Sequence, residues 1–184
     1  MSFHEMKIQG AWVHTPLRYQ DSRGHFEEQF KLSTIERELG LDFPVKQTNQ
    51  SVSQKGVIRG IHWTDSLEGQ AKYVSCMSGS IWDVVVDLRH DSPTYGQWDS
   101  VEVTPENGKS VVLSRGLGHA FLALEEGTLV NYLCTSEYDP PVDRTINPLD
   151  PVLNINFLEI AKSRGIQSLT MSDRDRDGEA FKSS

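Results

Sequence analysis

"SIWDVVVDLR", residues 80–89, decides the fold. Trp82, Val84, Val86 and Leu88 fall on one side of a period-two pattern, and Ile81, Asp83, Val85, Asp87 and Arg89 on the other. That alternation is the signature of a β-strand. Two further β-rich runs follow, "SVVLSRGLGHAFLAL" (110–124) and "GTLVNYLCTSEY" (127–138). Turn residues punctuate them in "DSPTYG", "PENGK", "LEEGT" and "YDPP". Many short strands at this spacing predict an all-β antiparallel sandwich or barrel. No strand–helix alternation is present, which disfavours a doubly wound nucleotide fold.

Helical patterns are few. Ser33 and Glu36 have capping-box spacing in "STIERELG", and Gly40 ends that pattern. Asn156 followed by Glu159 predicts a helix through "NFLEIAKSRG", ending at Gly165. By composition alone, the polar, charge-alternating "SDRDRDGEAFKSS" reads as a solvated tail.

The chain has 184 residues, a formal charge of -8, 24% charged and 37% hydrophobic residues. That is ordinary for one folded soluble domain. No apolar run reaches the ~20 residues of a membrane helix. The opening "MSFHEMKIQGAW" lacks a basic-then-apolar leader pattern, so a cytoplasmic location is expected. No basic stripe suggests nucleic acid as a partner. Cys76 and Cys134 each sit in mostly apolar surroundings and read as buried free thiols.

Against this acidic background, "GVIRGIHWTDSLEGQAKYV" (56–74) places Arg59, His62 and Lys72 close together. Strict alternation sends Arg59 and His62 to opposite faces, but a bulge at Gly60 would reset the facing and bring both into one cavity. If "DSLEG" turns a hairpin, the Lys72 strand returns beside that of His62. Singly, each residue has a structural explanation; together they suggest a local anion site. His119 follows a glycine-rich turn, and Tyr132 and Tyr138 flank "LCTSE". An inward tyrosine can donate a proton or stack on a base. There is no GxxxxGK[ST], GxGxxG, H-x-H or GxSxG pattern, so phosphate-loop, nicotinamide, barrel-metal and serine-nucleophile chemistry all lose support.

Seven segments, in order, resemble the dTDP-4-dehydrorhamnose 3,5-epimerases and their deoxysugar relatives. They are "DSRGHFEEQF", "QTNQSVSQKGVIRGIHW", "QAKYV", "DVVVDLRHDSPTYGQW", "GLGHAF", "YLCTSEYDP" and "SDRD". The resemblance implies one cupin-type jelly-roll domain over 1–184, with the segment from about 156 folding over the barrel. It also implies a homodimer that uses no metal or cofactor and acts on a dTDP-4-keto-6-deoxy sugar. By the same resemblance, His62 is the base, Asp175 orients it, Lys72 stabilises the enolate and Tyr132 returns the proton. An imidazole ordinarily titrates near pH ~6.5, which suits proton abstraction near neutrality. Arg23 and Arg59 match diphosphate contacts, and Glu28, Gln47 and Asn49 match contacts to the nucleoside and phosphate region. Tyr138 matches the base-stacking residue, while His119, Asp143 and Arg174 match further ligand contacts. Departures such as "WT" after His62 and Asp143 in place of Glu leave inversion at C3, C5 or both open. A mono-epimerase, a ketoisomerase or a non-catalytic nucleotide-sugar binder are the alternatives.

Overall fold

The computed structural model describes residues 1–65 and 69–182. In chain order the described strands and helices are β1 (Ser2–Glu5), β2 (Ala11–Thr15), β3 (Arg18–Asp21), β4 (Gly24–Glu27), α1 (Leu32–Leu39), β5 (Gln47–Ser53), β6 (Ile58–Thr64) and β7 (Lys72–Ser78). They continue with β8 (Ile81–Asp87), β9 (Trp98–Val103), β10 (Ser110–Leu113), β11 (Leu117–Ala123), β12 (Thr128–Cys134), β13 (Asp143–Thr145), α2 (Phe157–Ser163) and α3 (Asp173–Arg176).

Two antiparallel sheets face each other as a jelly roll. One runs β1-β2-β10-β7-β12-β5 and the other β13-β6-β11-β8-β9, with β3 and β4 forming a separate hairpin. The alternation in β8 explains why all its residues are buried. Ile81 and Val85 pack between the sheets with Val74, Val111, Val130 and Phe121. Trp82, Val84 and Val86 face outward, where Phe157, Ala161 and Phe181 cover them. Phe157 meets Trp82 edge-to-face with ring centroids 5.1 Å apart, a favoured aromatic geometry. A third cluster, with Ile35, Phe43 and Tyr73, fills the outer face of the six-stranded sheet beneath α1.

Local expectations need three corrections. The capping box is absent: Lys31 holds the extended N-cap conformation and Ser33 lies inside α1. Gly40 does end that helix, at φ 65°, a left-handed conformation that glycine adopts without a Cβ penalty. Likewise, Asn156 sits at the N-cap of α2 but its side chain makes no capping bond.

Second, β6 and β7 are not hairpin partners. The edges of β6 are taken by β11 and β13, and those of β7 by β10 and β12, so the chain passes from one sheet to the other between them. Ser66–Glu68 of the expected turn lie outside the described residues.

Third, the end of the chain is not simply a solvated tail. Ser172 caps α3 by accepting the Asp175 N–H at 3.0 Å, and Asp175 and Phe181 are buried. Tyr95 donates to the Lys182 carbonyl, while the Phe181 N–H donates to Asp150. A hydrophobic ring in this otherwise polar run is what fastens it.

Candidate active site

The bulge at Gly60 builds one wall of the site. The β6–β11 ladder shifts register between His119 and Phe121. Gly60 has φ 116°, and a Cβ there would lie 2.4 Å from the His119 carbonyl oxygen. Only glycine permits this approach. The shift leaves Ile58 and Ile61 in the outer core, while Arg59 and His62 line one cavity of about 270 Å³.

Period-two facing supplies the opposite wall. Lys72 on β7 pairs with Cys134 on β12, and Tyr132 on β12 pairs with Asn49 on β5. Their side chains, with Ser51, line the same cavity. His62 and Tyr132 therefore reach it from opposing sheets. Tyr138, Asp143 and Arg174 sit at its rim.

Asp175 backs His62, with Oδ1 2.6 Å from Nε2. Burial pushes this carboxyl up, but the hydrogen bond and charge of His62, aided by Ser172 and the Gly60 backbone, outweigh it and hold the carboxyl below its usual range. The neighbouring Arg174 on α3 ion-pairs with Asp143 and reaches Thr145 at 2.9 Å and the Tyr138 hydroxyl at 3.3 Å. One short helix thus ties His62 to the rim.

Burial lowers Lys72 below the usual lysine range, and the charges of Cys134 and Asp143 offset only part of this. Tyr132 is pushed well above the usual phenol range by burial, against the opposing effects of Ser51 and Arg59. It therefore stays protonated at neutral pH, and its hydroxyl lies 3.1 Å from Ser51 Oγ. Arg59 donates to Ser53 Oγ at 3.0 Å and to the Val52 carbonyl at 3.1 Å. His119 pairs with Asp83 at 2.7 Å, with both side chains buried.

Of the remaining residues singled out in the sequence, Gln47 accepts the Tyr138 N–H at 2.8 Å and donates to Asn49 at 2.8 Å. Arg23 and Glu28 are not among the cavity-lining residues. Arg23 is exposed and ion-paired with Asp21, and Glu28 pairs with Lys31. Gln50, Ser51, Gln70 and Phe121, not singled out in the sequence, also line the cavity, as does Cys134, which was expected only as a buried thiol; Asp83, likewise not singled out, lies behind His119. Cys134 was legible in principle, because it lies two residues beyond Tyr132 on one strand.

A carboxylate-backed imidazole facing a phenol is chemically able to pass protons to and from a ligand. Gln70, Tyr138 and Asp143 also line an adjoining cavity of about 500 Å³, which offers room for a larger appendage.

Known proteins share this framework. The family model described as dTDP-4-dehydrorhamnose 3,5-epimerase matches residues 5–183. The dTDP-4-dehydrorhamnose 3,5-epimerase of Mycolicibacterium smegmatis is 43% identical over 95% of this chain and 83% of its own length. The dTDP-4-dehydro-6-deoxyglucose 3-epimerase of Streptomyces bikiniensis is 42% identical, covering 95% of this chain and 86% of that relative. Among solved structures, the rmlC epimerase of Mycobacterium tuberculosis superposes with a TM-score of 0.91 at 40% identity, covering 98% of this chain and 88% of that one. A double mutant of ChmJ, a 3'-monoepimerase from Streptomyces bikiniensis with a histidine and a tyrosine replaced, was solved with dTDP; its TM-score is 0.88 at 41% identity, over 96% of this chain and 86% of that one. The chain belongs to the dTDP-4-dehydrorhamnose 3,5-epimerase family, a family of sugar-nucleotide isomerases.

Proposed function

We propose that this protein inverts C3 of a dTDP-4-keto-6-deoxy-hexose, with C5 as a second position, in deoxysugar biosynthesis. The observation that carries the reading is the pair of opposed proton-handling groups in one cavity: His62 backed by Asp175, and Tyr132 on the facing sheet. C3 is the carbon common to the names of the 3,5-epimerase and 3-epimerase relatives. The histidine and tyrosine replaced in ChmJ have the same spacing along the chain as His62 and Tyr132.

His62 takes the proton from the carbon beside the ketone, and the C–H electron pair moves into an enolate. Lys72 donates to the enolate oxygen where charge develops. Tyr132 then delivers a proton to the opposite face, and the inverted ketone forms as the enolate collapses. The resulting phenolate regains a proton from solvent, and the His62 imidazolium releases the abstracted proton to solvent. Asp175 orients His62 and stabilises the imidazolium formed on the way.

Arg59 meets the diphosphate, and Tyr138 stacks on the base with Gln47 and Asn49 beside it. His119, Asp143 and Arg174 complete the ligand contacts. Arg23 and Glu28 fit this scheme in a homodimer, where the β3–β4 hairpin of a second copy reaches the cavity. The exposed Tyr19, Phe26 and Val52 support such a contact, as does the edge position of β5.

The test is mass spectrometry of dTDP-4-keto-6-deoxyglucose incubated with the protein in deuterated water. Uptake of one or two deuterons is expected, and no uptake contradicts the reading. For the shared site, mixing His62→Ala with Arg23→Ala subunits should restore activity that neither has alone. A mixture as inactive as its parts would place Arg23 outside the partner's cavity.

A further inference from the structure

We propose that Asp83 is a positioning residue that makes His119 present its Nδ1–H to the cavity as a hydrogen-bond donor for an anionic ligand oxygen. The starting observation is a second carboxylate–imidazole pair beside the one at His62. His119 and His62 are direct cross-strand partners on β11 and β6. Asp83 Oδ2 lies 2.7 Å from His119 Nε2, and the Asp83 side chain is wholly buried. Its other oxygen, Oδ1, has no hydrogen-bond partner among the described residues. His119 lines the cavity, and its Nδ1, unlike Asp83 Oδ1, is not a sealed atom without a partner.

The proton count decides what Nδ1 does. An ionised Asp83 beside a neutral imidazole would leave one net negative charge buried, with a bare lone-pair oxygen, which is expensive. Tyr132 stands edge-on to His119, and Arg59 and Lys72 line the same cavity, yet among the described residues His119 is the charge that acts to lower the Asp83 carboxyl. Burial raises this carboxyl despite that partner. The pair is therefore net neutral, in one of two ways. Either the carboxylate faces an imidazolium, or the carboxylic acid donates to Nε2 of a neutral ring. In both, Nδ1 carries a proton and Nε2 is engaged by Asp83. Wherever the shared proton rests, the nitrogen facing the cavity is a donor. It complements Lys72 on the opposite wall, whose charge is itself disfavoured by burial.

The ligand oxygen is either the nascent enolate or a diphosphate oxygen, and the experiment separates them. The first arm is two-bond proton–nitrogen NMR on the full chain carrying ¹⁵N-histidine, without ligand, with the His119 signals assigned by their loss in His119→Gln. A protonated Nδ1 is expected; a pyridine-like Nδ1 overturns the proposal. The second arm uses Asp83→Leu, close in shape but unable to hold the ring nitrogen. Exchange of the substrate α-protons at saturation should fall at least tenfold with dTDP affinity unchanged if the oxygen is the enolate's. A tenfold weaker dTDP affinity with exchange at saturation unchanged assigns it to the diphosphate. A folded variant within twofold of wild type in both overturns the proposal. This arm rests on the epimerase reading, whereas the nitrogen spectrum of the unaltered protein does not, so a failure of one is distinguishable from a failure of the other.

Discussion

Asp83 and Asp87 stand on the same face of β8, and both side chains are fully buried. At Asp87 the two oxygens take the Arg89 backbone N–H at 3.1 Å, its Nε at 2.8 Å and its Nη2 at 2.7 Å. Ser92 and Thr94 add hydroxyls at 2.5 and 2.6 Å. Burial would raise this carboxyl, but these donors win and bring it down to about 2. Among the described residues Asp83 has one partner and one orphan oxygen, and its carboxyl is raised. An orphan of this kind costs about 1–3 kcal/mol. The turn end of the strand is therefore built for stability, and the cavity end holds polar groups that a ligand can complete. Such local costs are expected where activity is traded against stability.

The contrast predicts that changes at the cavity remove turnover and spare the fold, while changes at the turn do the reverse. His62→Ala should have the largest effect, slowing α-proton exchange in the folded protein by about 10³-fold; exchange within tenfold of wild type would break the contrast. Tyr132→Phe should cut net inversion by about 10²-fold while α-proton exchange continues, as read by comparing deuterium uptake with product configuration. Lys72→Met should slow exchange by about 10²-fold and raise the melting temperature, because a desolvated ammonium disappears. A lowered melting temperature there would mean that the charge is structurally satisfied.

Asp87→Asn should leave exchange per folded molecule unchanged and lower stability at pH 7. Its carboxyl is depressed from 3.8 to about 2, which corresponds to a contribution on the order of 2 kcal/mol. Because the folded value is the lower one, that stabilisation is complete above about pH 4 and is lost as pH falls towards 2. Denaturant melts of wild type and variant should therefore converge at the acid end. A gap that persists at pH 2 would assign the loss to packing.

Much of this division was legible in the sequence. Alternation in 80–89 placed Asp83 and Asp87 on the face opposite Trp82, and Gly60 marked the bulge that turns Arg59 and His62 into one cavity. The strand partners were harder to read. A short apparent turn after β6 suggests a hairpin, but pairing is decided by which edges distant strands have already occupied. Capping also failed at Ser33, since residue spacing does not reveal where the backbone first turns helical. The contact between Asp175 and His62 bridges 113 positions and came only through family resemblance, because a polar tail gives no local signal of docking. Asp83 was passed over because an inward aspartate on a β-strand does not disclose whether its oxygens are satisfied.

The most direct test of the account is proton NMR of dTDP-4-keto-6-deoxyglucose in deuterated water, with wild type, His62→Ala and Tyr132→Phe run in parallel. The account predicts loss of the C3 proton signal and an inverted C3 centre with wild type, no loss with His62→Ala, and loss without inversion with Tyr132→Phe. A His62→Ala protein that exchanges the C3 proton at the wild-type rate would contradict it.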